Sequence, residues 1–175
     1  MRVFVAIQVP DNIKKKAELV GREIEQEGVV PVKQENMHIT LKFIGDVEPE
    51  QVEIIKKRLQ SVEHRKIECN LNGAGVFPNE KYVKVVWIGA ESNGEMEKLA
   101  IKIHDALAEY SNEEKFSAHL TIARVKKKLE IKEFLAKHDD ENFGKIAVKK
   151  FELIQSVLGE VGGPRYITLA SFNLD

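Results

Sequence analysis

The feature that most constrains this chain is a four-residue pattern that occurs twice, each time at the same distance beyond a strand-like segment. His38-Ile39-Thr40-Leu41 begins 35 residues after Val3, and His119-Leu120-Thr121-Ile122 begins 36 residues after Val83. Five histidines and three threonines make up the stock from which such pairs are drawn. Chance alone would give about 0.09 His-x-Thr pairs, so two copies in matched surroundings are a signal. In each copy polar and apolar residues alternate, the period of a strand with one wet face. Residues i and i+2 of a strand project together, roughly 6.5–7 Å apart. His38 and Thr40 therefore share one side while Ile39, Leu41 and Phe43 turn to the core; His119 and Thr121 project while Leu120 and Ile122 turn in.

The surrounding sequence supplies the frame. Residues 3–9 read as a strand ended by Pro10, followed by a helix with Asp11 as N-cap, apolar Ile13, Ala17, Val20 and Ile24, and Gly28 as its stop. A short strand near 29–33, the motif strand, a helix opened by Pro49 and extended residues 66–77 complete the first half. The second half runs in similar order: strand 82–90, a helix carrying Met96, Leu99, Ile103, Leu107 and Tyr110 inward, strand 118–125, a short helix around 130–137, then strands near 145–158 and 165–172. The register predicts an α+β fold built by internal duplication: two antiparallel sheets with outer helices and a central cleft. The expected organisation is one domain over 1–175, with lobes of approximately 1–80 and 81–175 that exchange strands; no Pro-, Gly- or Ser-rich linker separates them.

Composition narrows the class. At 43% hydrophobic and 31% charged the chain is globular rather than disordered. No apolar run approaches the roughly 18–20 residues of a membrane span, and Met1-Arg2-Val3-Phe4 enters a strand without a signal-peptide pattern. A single cysteine, Cys69, excludes an internal disulfide and a purely cysteine-based zinc site. These features predict a cytoplasmic protein. The net charge of −1 argues against gripping long duplexes and for recognising a nucleic-acid end or a short piece, if nucleic acid is bound at all.

Two lobes related by an approximate two-fold bring two imidazoles and two hydroxyls to one cleft. That set suits a cyclic phosphodiester. Each threonine can donate to one non-bridging oxygen, and in-line displacement places the attacking and departing oxygens on opposite sides of phosphorus. Histidine, with an unperturbed pKa of about 6.5, can serve as base on one flank and acid on the other. No metal or other cofactor is needed for such a step. His64, His104 and His138 are read as structural: two lie near helix C-termini, and His104 flanks an apolar stripe.

The paired motifs resemble those of the 2H phosphoesterase superfamily. The opening Arg2-Val3-Phe4-Val5-Ala6-Ile7, the run Glu35 to Gly45 and the stretch Gly75-Val76-Phe77-Pro78-Asn79 resemble its RNA 2′,3′-cyclic phosphodiesterase branch, historically called 2′-5′ RNA ligase. The resemblance covers nearly the whole chain. It implies a bilobal fold, hydrolysis of RNA 3′ ends bearing a 2′,3′-cyclic phosphate to a 2′-phosphate without metal, and in some members reversible 2′-5′ joining. It also implies His38 as proton donor, His119 as proton acceptor, and Arg124 beside Thr40 and Thr121 as a phosphate holder. Strict alternation would point Arg124 away from Thr121, so a bulge or strand end is required.

Lys42 shares the predicted outward face with His38, adding positive charge to the cleft or standing solvated; Tyr166 and Phe4 are candidates for base stacking or for burial. Gly162-Gly163-Pro164 reads as a hairpin turn rather than a phosphate cradle, and Lys126-Lys127-Lys128 as a solvated turn. Pro31-Val32-Lys33-Gln34 lacks the Arg-Trp often seen there in relatives, which puts base contacts from that edge in doubt. A non-catalytic nucleotide-binding module of the same fold is the competing reading; the intact histidines and threonines speak against it. Nothing in the sequence demands more than a monomer, and small cyclic nucleotides such as ADP-ribose 1″,2″-cyclic phosphate are chemically plausible substrates.

Overall fold

The computed structural model describes residues 1–110, 115–159, 161 and 163–175. Through these the chain runs β1 (Arg2–Gln8), α1 (Asp11–Arg22), β2 (Val29–Pro31), β3 (His38–Asp46), α2 (Pro49–Gln60), β4 (Ile67–Asn79) and β5 (Tyr82–Glu91). It continues through α3 (Glu95–Ala106), β6 (His119–Val125), α4 (Lys132–Lys137), β7 (Asn142–Val148), β8 (Lys150–Val157) and β9 (Arg165–Asn173).

Two antiparallel sheets result, ordered β3-β1-β8-β9 and β2-β6-β5-β4-β7. The α+β duplication is visible in that order: β3-β1-β8-β9 is matched by β6-β5-β4-β7, and β2 is added outside β6. β4 comes from the first half yet pairs with β5; β8 comes from the second yet pairs with β1. The halves 1–80 and 81–175 therefore each give strands to both sheets, and the β4–β5 hairpin straddles residue 80. One apolar cluster, from Val3 through Leu59, Leu71 and Ile122 to Leu174, runs through both sheets and the helices on them.

β1 shows why its sequence is apolar without interruption. Val3 to Ile7 are all buried: Val3, Val5 and Ile7 join the main core, while Phe4 and Ala6 form a separate small cluster with Ile154 and Tyr166. A strand covered on both faces has no polar face to show. α1 packs on β6 and β7, α3 on β3, and α2 on α3 and β9. At the opening of α2, the Gln51 side chain accepts the Glu48 backbone N–H at 2.9 Å, with Pro49 in the first turn.

Two boundaries differ from expectation. α1 stops at Arg22 rather than running to Gly28, and Pro10, not Asp11, is its N-cap; just beyond it, Glu23 turns its carboxylate to Lys137 and His138. Residues 145–158 are not one extended run. The chain leaves the β4 side at Val148, pairs with β9 from Lys150 and with β1 from Glu152, so hydrophobic alternation continues through a change of sheet. No helix among the described residues is long and apolar enough to cross a membrane.

Candidate active site

The two motif strands, β3 and β6, lie against each other although they belong to different sheets. His38, Thr40, His119, Thr121, Arg124, Lys42, Phe4 and Tyr166 all line one cleft of about 860 Å³, within the range of small-molecule and nucleotide sites. Every candidate drawn from the sequence is thus in one place, although the strands that carry them are far apart in the chain.

A bulge in each motif strand sets which side chains reach that cleft. In β6, Trp87 pairs with Thr121 and Val86 with Ala123, so Ile122 is an extra residue opposite the bond between them. Ile122 and Ala123 are consecutively buried, and Arg124 emerges on the side of Thr121. This is the inward turn that strict alternation denies it. β3 repeats the device: Ala6 pairs with Thr40 and Val5 with Lys42, leaving Leu41 as the extra residue. Here two expectations are corrected. Phe43 is not in the core but 51% exposed, lining the cleft at the position that matches Arg124. Lys42 is not solvated: it is 6% exposed, with Nζ 3.2 Å from Nδ1 of His104. Burial lowers its pKa.

The histidines are held differently. His38 stacks on Phe4 at 4.9 Å and meets the edge of Tyr166 at 4.9 Å. Burial there, reinforced by the charges of Lys14 and Arg124, pushes its pKa down to about 4. His119 meets Phe77 edge-on at 5.0 Å with Trp87 behind, and its Nδ1 lies 2.7 Å from the Ser117 carbonyl. Its pKa is also lowered, by burial first and by Arg124, against the opposing pull of that carbonyl. A ring that donates Nδ1–H to a carbonyl keeps its lone pair on Nε2 when neutral. Burial raises the Tyr166 hydroxyl pKa, so it stays protonated beside His38.

Other residues stand at the cleft or directly behind its lining although the sequence gave them no place there. Phe77 and Trp87 form the aromatic wall of the second histidine; Phe77 sits in the stretch Gly75 to Asn79 that carried the resemblance, whereas Trp87 gave no local signal. Gly75 lets Trp87 close on it, because a Cβ there would lie 2.2 Å from the indole ring. Val30 to Lys33 and Asn36 line one margin, and Gly163 and Pro164 another; Gly162 lies outside the described residues. His104, read as structural, also lines the cleft, on the α3 side. His138 is buried away from it, with Nε2 2.7 Å from Glu23 and Nδ1 on Glu141. His64, buried, lies 3.3 Å from Glu95. The Lys126 to Lys128 run is exposed, and Lys127 pairs with Glu27.

A fold of two duplicated sheets, with a His-x-Thr pair from each meeting in one cleft, is that of a two-histidine phosphoesterase. Comparison with known proteins agrees. The family described as LigT-like phosphoesterase matches residues 7–87. An RNA 2′,3′-cyclic phosphodiesterase of Archaeoglobus fulgidus is 38% identical over 98% of this chain and 99% of its own. One from Methanocaldococcus jannaschii is 36% identical over 95% and 96%. The crystal structure of E. coli LigT complexed with 3′-AMP has the same fold, with a TM-score of 0.83 at 24% identity over 99% of this chain and 97% of that one. The chain belongs to the RNA 2′,3′-cyclic phosphodiesterase family of LigT-like phosphoesterases.

Proposed function

We propose that this protein hydrolyses the terminal 2′,3′-cyclic phosphate of RNA to a 2′-phosphate, with His119 as base and His38 as acid. The observation that carries the assignment is the Ser117 carbonyl at 2.7 Å from Nδ1 of His119. It leaves Nε2 as the acceptor, which can take a proton from water as the oxygen attacks phosphorus. The P–O3′ bond breaks on the opposite side, and His38 gives its proton to the departing O3′. In the free protein, burial keeps His38 neutral; a bound phosphate anion favours its charged form and loads the proton the step requires. Thr40 and Thr121 donate to the non-bridging oxygens, and Arg124 supplies the countercharge. Tyr166, half-buried at the edge of His38, offers its ring to the terminal base, whereas Phe4 is buried beneath the His38 ring and serves to hold it.

The curated relatives, both named RNA 2′,3′-cyclic phosphodiesterase and aligned over nearly the full chain, support the substrate class. All the groups named come from one chain, so a monomer suffices. Joining of 2′-5′ ends would use the same groups in reverse, with a ribose 5′-hydroxyl in place of water.

The test is turnover of an RNA oligonucleotide ending in a 2′,3′-cyclic phosphate, in EDTA, by the wild type, His38→Ala and His119→Ala. A 2′-phosphate product, with loss of at least about a hundredfold in each variant, is expected. A 3′-phosphate product would reverse the leaving oxygen. Binding of a cyclic nucleotide without turnover would make the protein a binding module.

A further inference from the structure

The cleft is larger, and more positive, than one cyclic phosphate requires. Lys33, Lys42, Lys115 and Arg124 line it, and no carboxylate does among the described residues. This holds in a chain with 27 basic and 28 acidic side chains. A cyclic diester carries one negative charge, which Arg124 beside the threonines answers. The lysines are in excess of it.

Lys42 is the most telling of them. Lysines are almost never fully buried without an acidic partner, yet among the described residues the hydrogen-bond partner of its Nζ is the imidazole of His104. A neutral imidazole supplies an acceptor and no countercharge. By accepting at Nδ1, His104 is left with Nε2–H as its free donor, and this ring is exposed on α3 where it lines the cleft. Lys42 and His104 thus present N–H donors and one positive charge to the cleft, whose lining also includes the apolar Ile101, Phe116 and Phe43. Along β3, Lys42 lies two residues beyond Thr40, across the bulge at Leu41, so the pair stands beside the threonine and not on the same phosphate site.

We propose that the Lys42–His104 pair forms a second anion subsite, which holds the internucleotide phosphate on the 5′ side of the terminal cyclic nucleotide. This rests on the cyclic-phosphate reading above. The geometry admits no other source for a second anion in such a substrate, because every further phosphate of an RNA with a cyclic 3′ end lies upstream. The preferred substrate is therefore an oligonucleotide rather than a nucleoside cyclic phosphate, and the charge that selects it sits outside the reacting centre.

The experiment compares kcat/KM for a nucleoside 2′,3′-cyclic phosphate, a dinucleotide with the same cyclic end, and that dinucleotide with a neutral methylphosphonate link. Wild type is expected to favour the phosphodiester dinucleotide at least tenfold over both others. In Lys42→Met and in His104→Ala, the ratio of dinucleotide to mononucleotide should collapse to within about threefold, while Lys42→Arg retains the preference. A wild type that does not distinguish the charged from the neutral link would overturn the subsite without any variant being needed. So would a preference that survives in both Lys42→Met and His104→Ala. If none of the three substrates turns over, the hydrolytic reading itself fails and the subsite falls with it.

Discussion

Both motif histidines sit where burial lowers their pKa, one to about 4 and the other below the ordinary 6.5. The sign of the pH effect follows. In the free protein both titrations lie on the acid side of 6.5, so kcat/KM should peak below that pH and fall towards neutrality. Bound anion raises both values, so the limbs of the kcat profile should lie at higher pH than those of kcat/KM. Equal limbs in the two profiles would mean that substrate binding does not charge His38. Arg124 depresses both histidines. Arg124→Ala should therefore move both limbs of kcat/KM upward while lowering its maximum roughly ten- to a hundredfold, the loss of a charged hydrogen bond worth about 1.5–3 kcal/mol. A lower maximum with unmoved limbs would place Arg124 away from the imidazoles. Phe43, at the matching position of the other strand, breaks the two-fold.

At the scale of elements, the bulges matter more than the strands that contain them. One extra residue after each threonine resets the alternation, so that position six of each motif, Phe43 or Arg124, faces the cleft together with positions one and three. The β6 bulge is held from behind. The carbonyl of Ile122 accepts the Val32 N–H at 2.9 Å, and Gly21 of α1 comes so close that an added Cβ would lie 2.8 Å from that oxygen. Gly21→Ala would gain up to about 1 kcal/mol of helix propensity. The clash is with a backbone atom already in a hydrogen bond, and overpacking of that kind costs about 1–3 kcal/mol. The net is destabilising. The melting temperature should fall by roughly 2–8 °C, measured by thermal unfolding; a rise would show that α1 can shift away from the bulge without loss.

For the whole molecule, reciprocal pairing of β4 with β5 and of β8 with β1 leaves neither half with a sheet of its own. Trp87, the single tryptophan, reports on the β5–β6 side, whereas far-ultraviolet circular dichroism reports on both sheets. The two unfolding curves should coincide, as in one cooperative transition. Separate curves would show that the sheets unfold independently despite their shared core. Fragments 1–80 and 81–175 should each be unfolded alone and should regain structure when mixed.

The sequence by itself determined the element order, the duplication and the two histidine–threonine pairs. Periodicity is local, and His38, Thr40, His119 and Thr121 stand out because each pair lies within three residues. Its reach ended where alternation is broken or contacts are distant. A bulge leaves no mark in hydrophobic pattern, because an apolar residue such as Leu41 or Ile122 occupies the extra place; Phe43 was therefore assigned to the core, the burial of Lys42 at the cleft against His104 gave no signal, and Arg124 needed a turn the residues alone did not show. The passage from β7 to β8 was hidden because the buried Phe143, Ile146 and Val148 run on into the buried Phe151 to Ile154, whichever sheet they join. The meeting of Lys42 with His104, 62 residues apart, and the different aromatic neighbours of His38 and His119 were decided only by tertiary structure. Side chains distant in the chain acquire a common environment only when packing brings their strands and helices together.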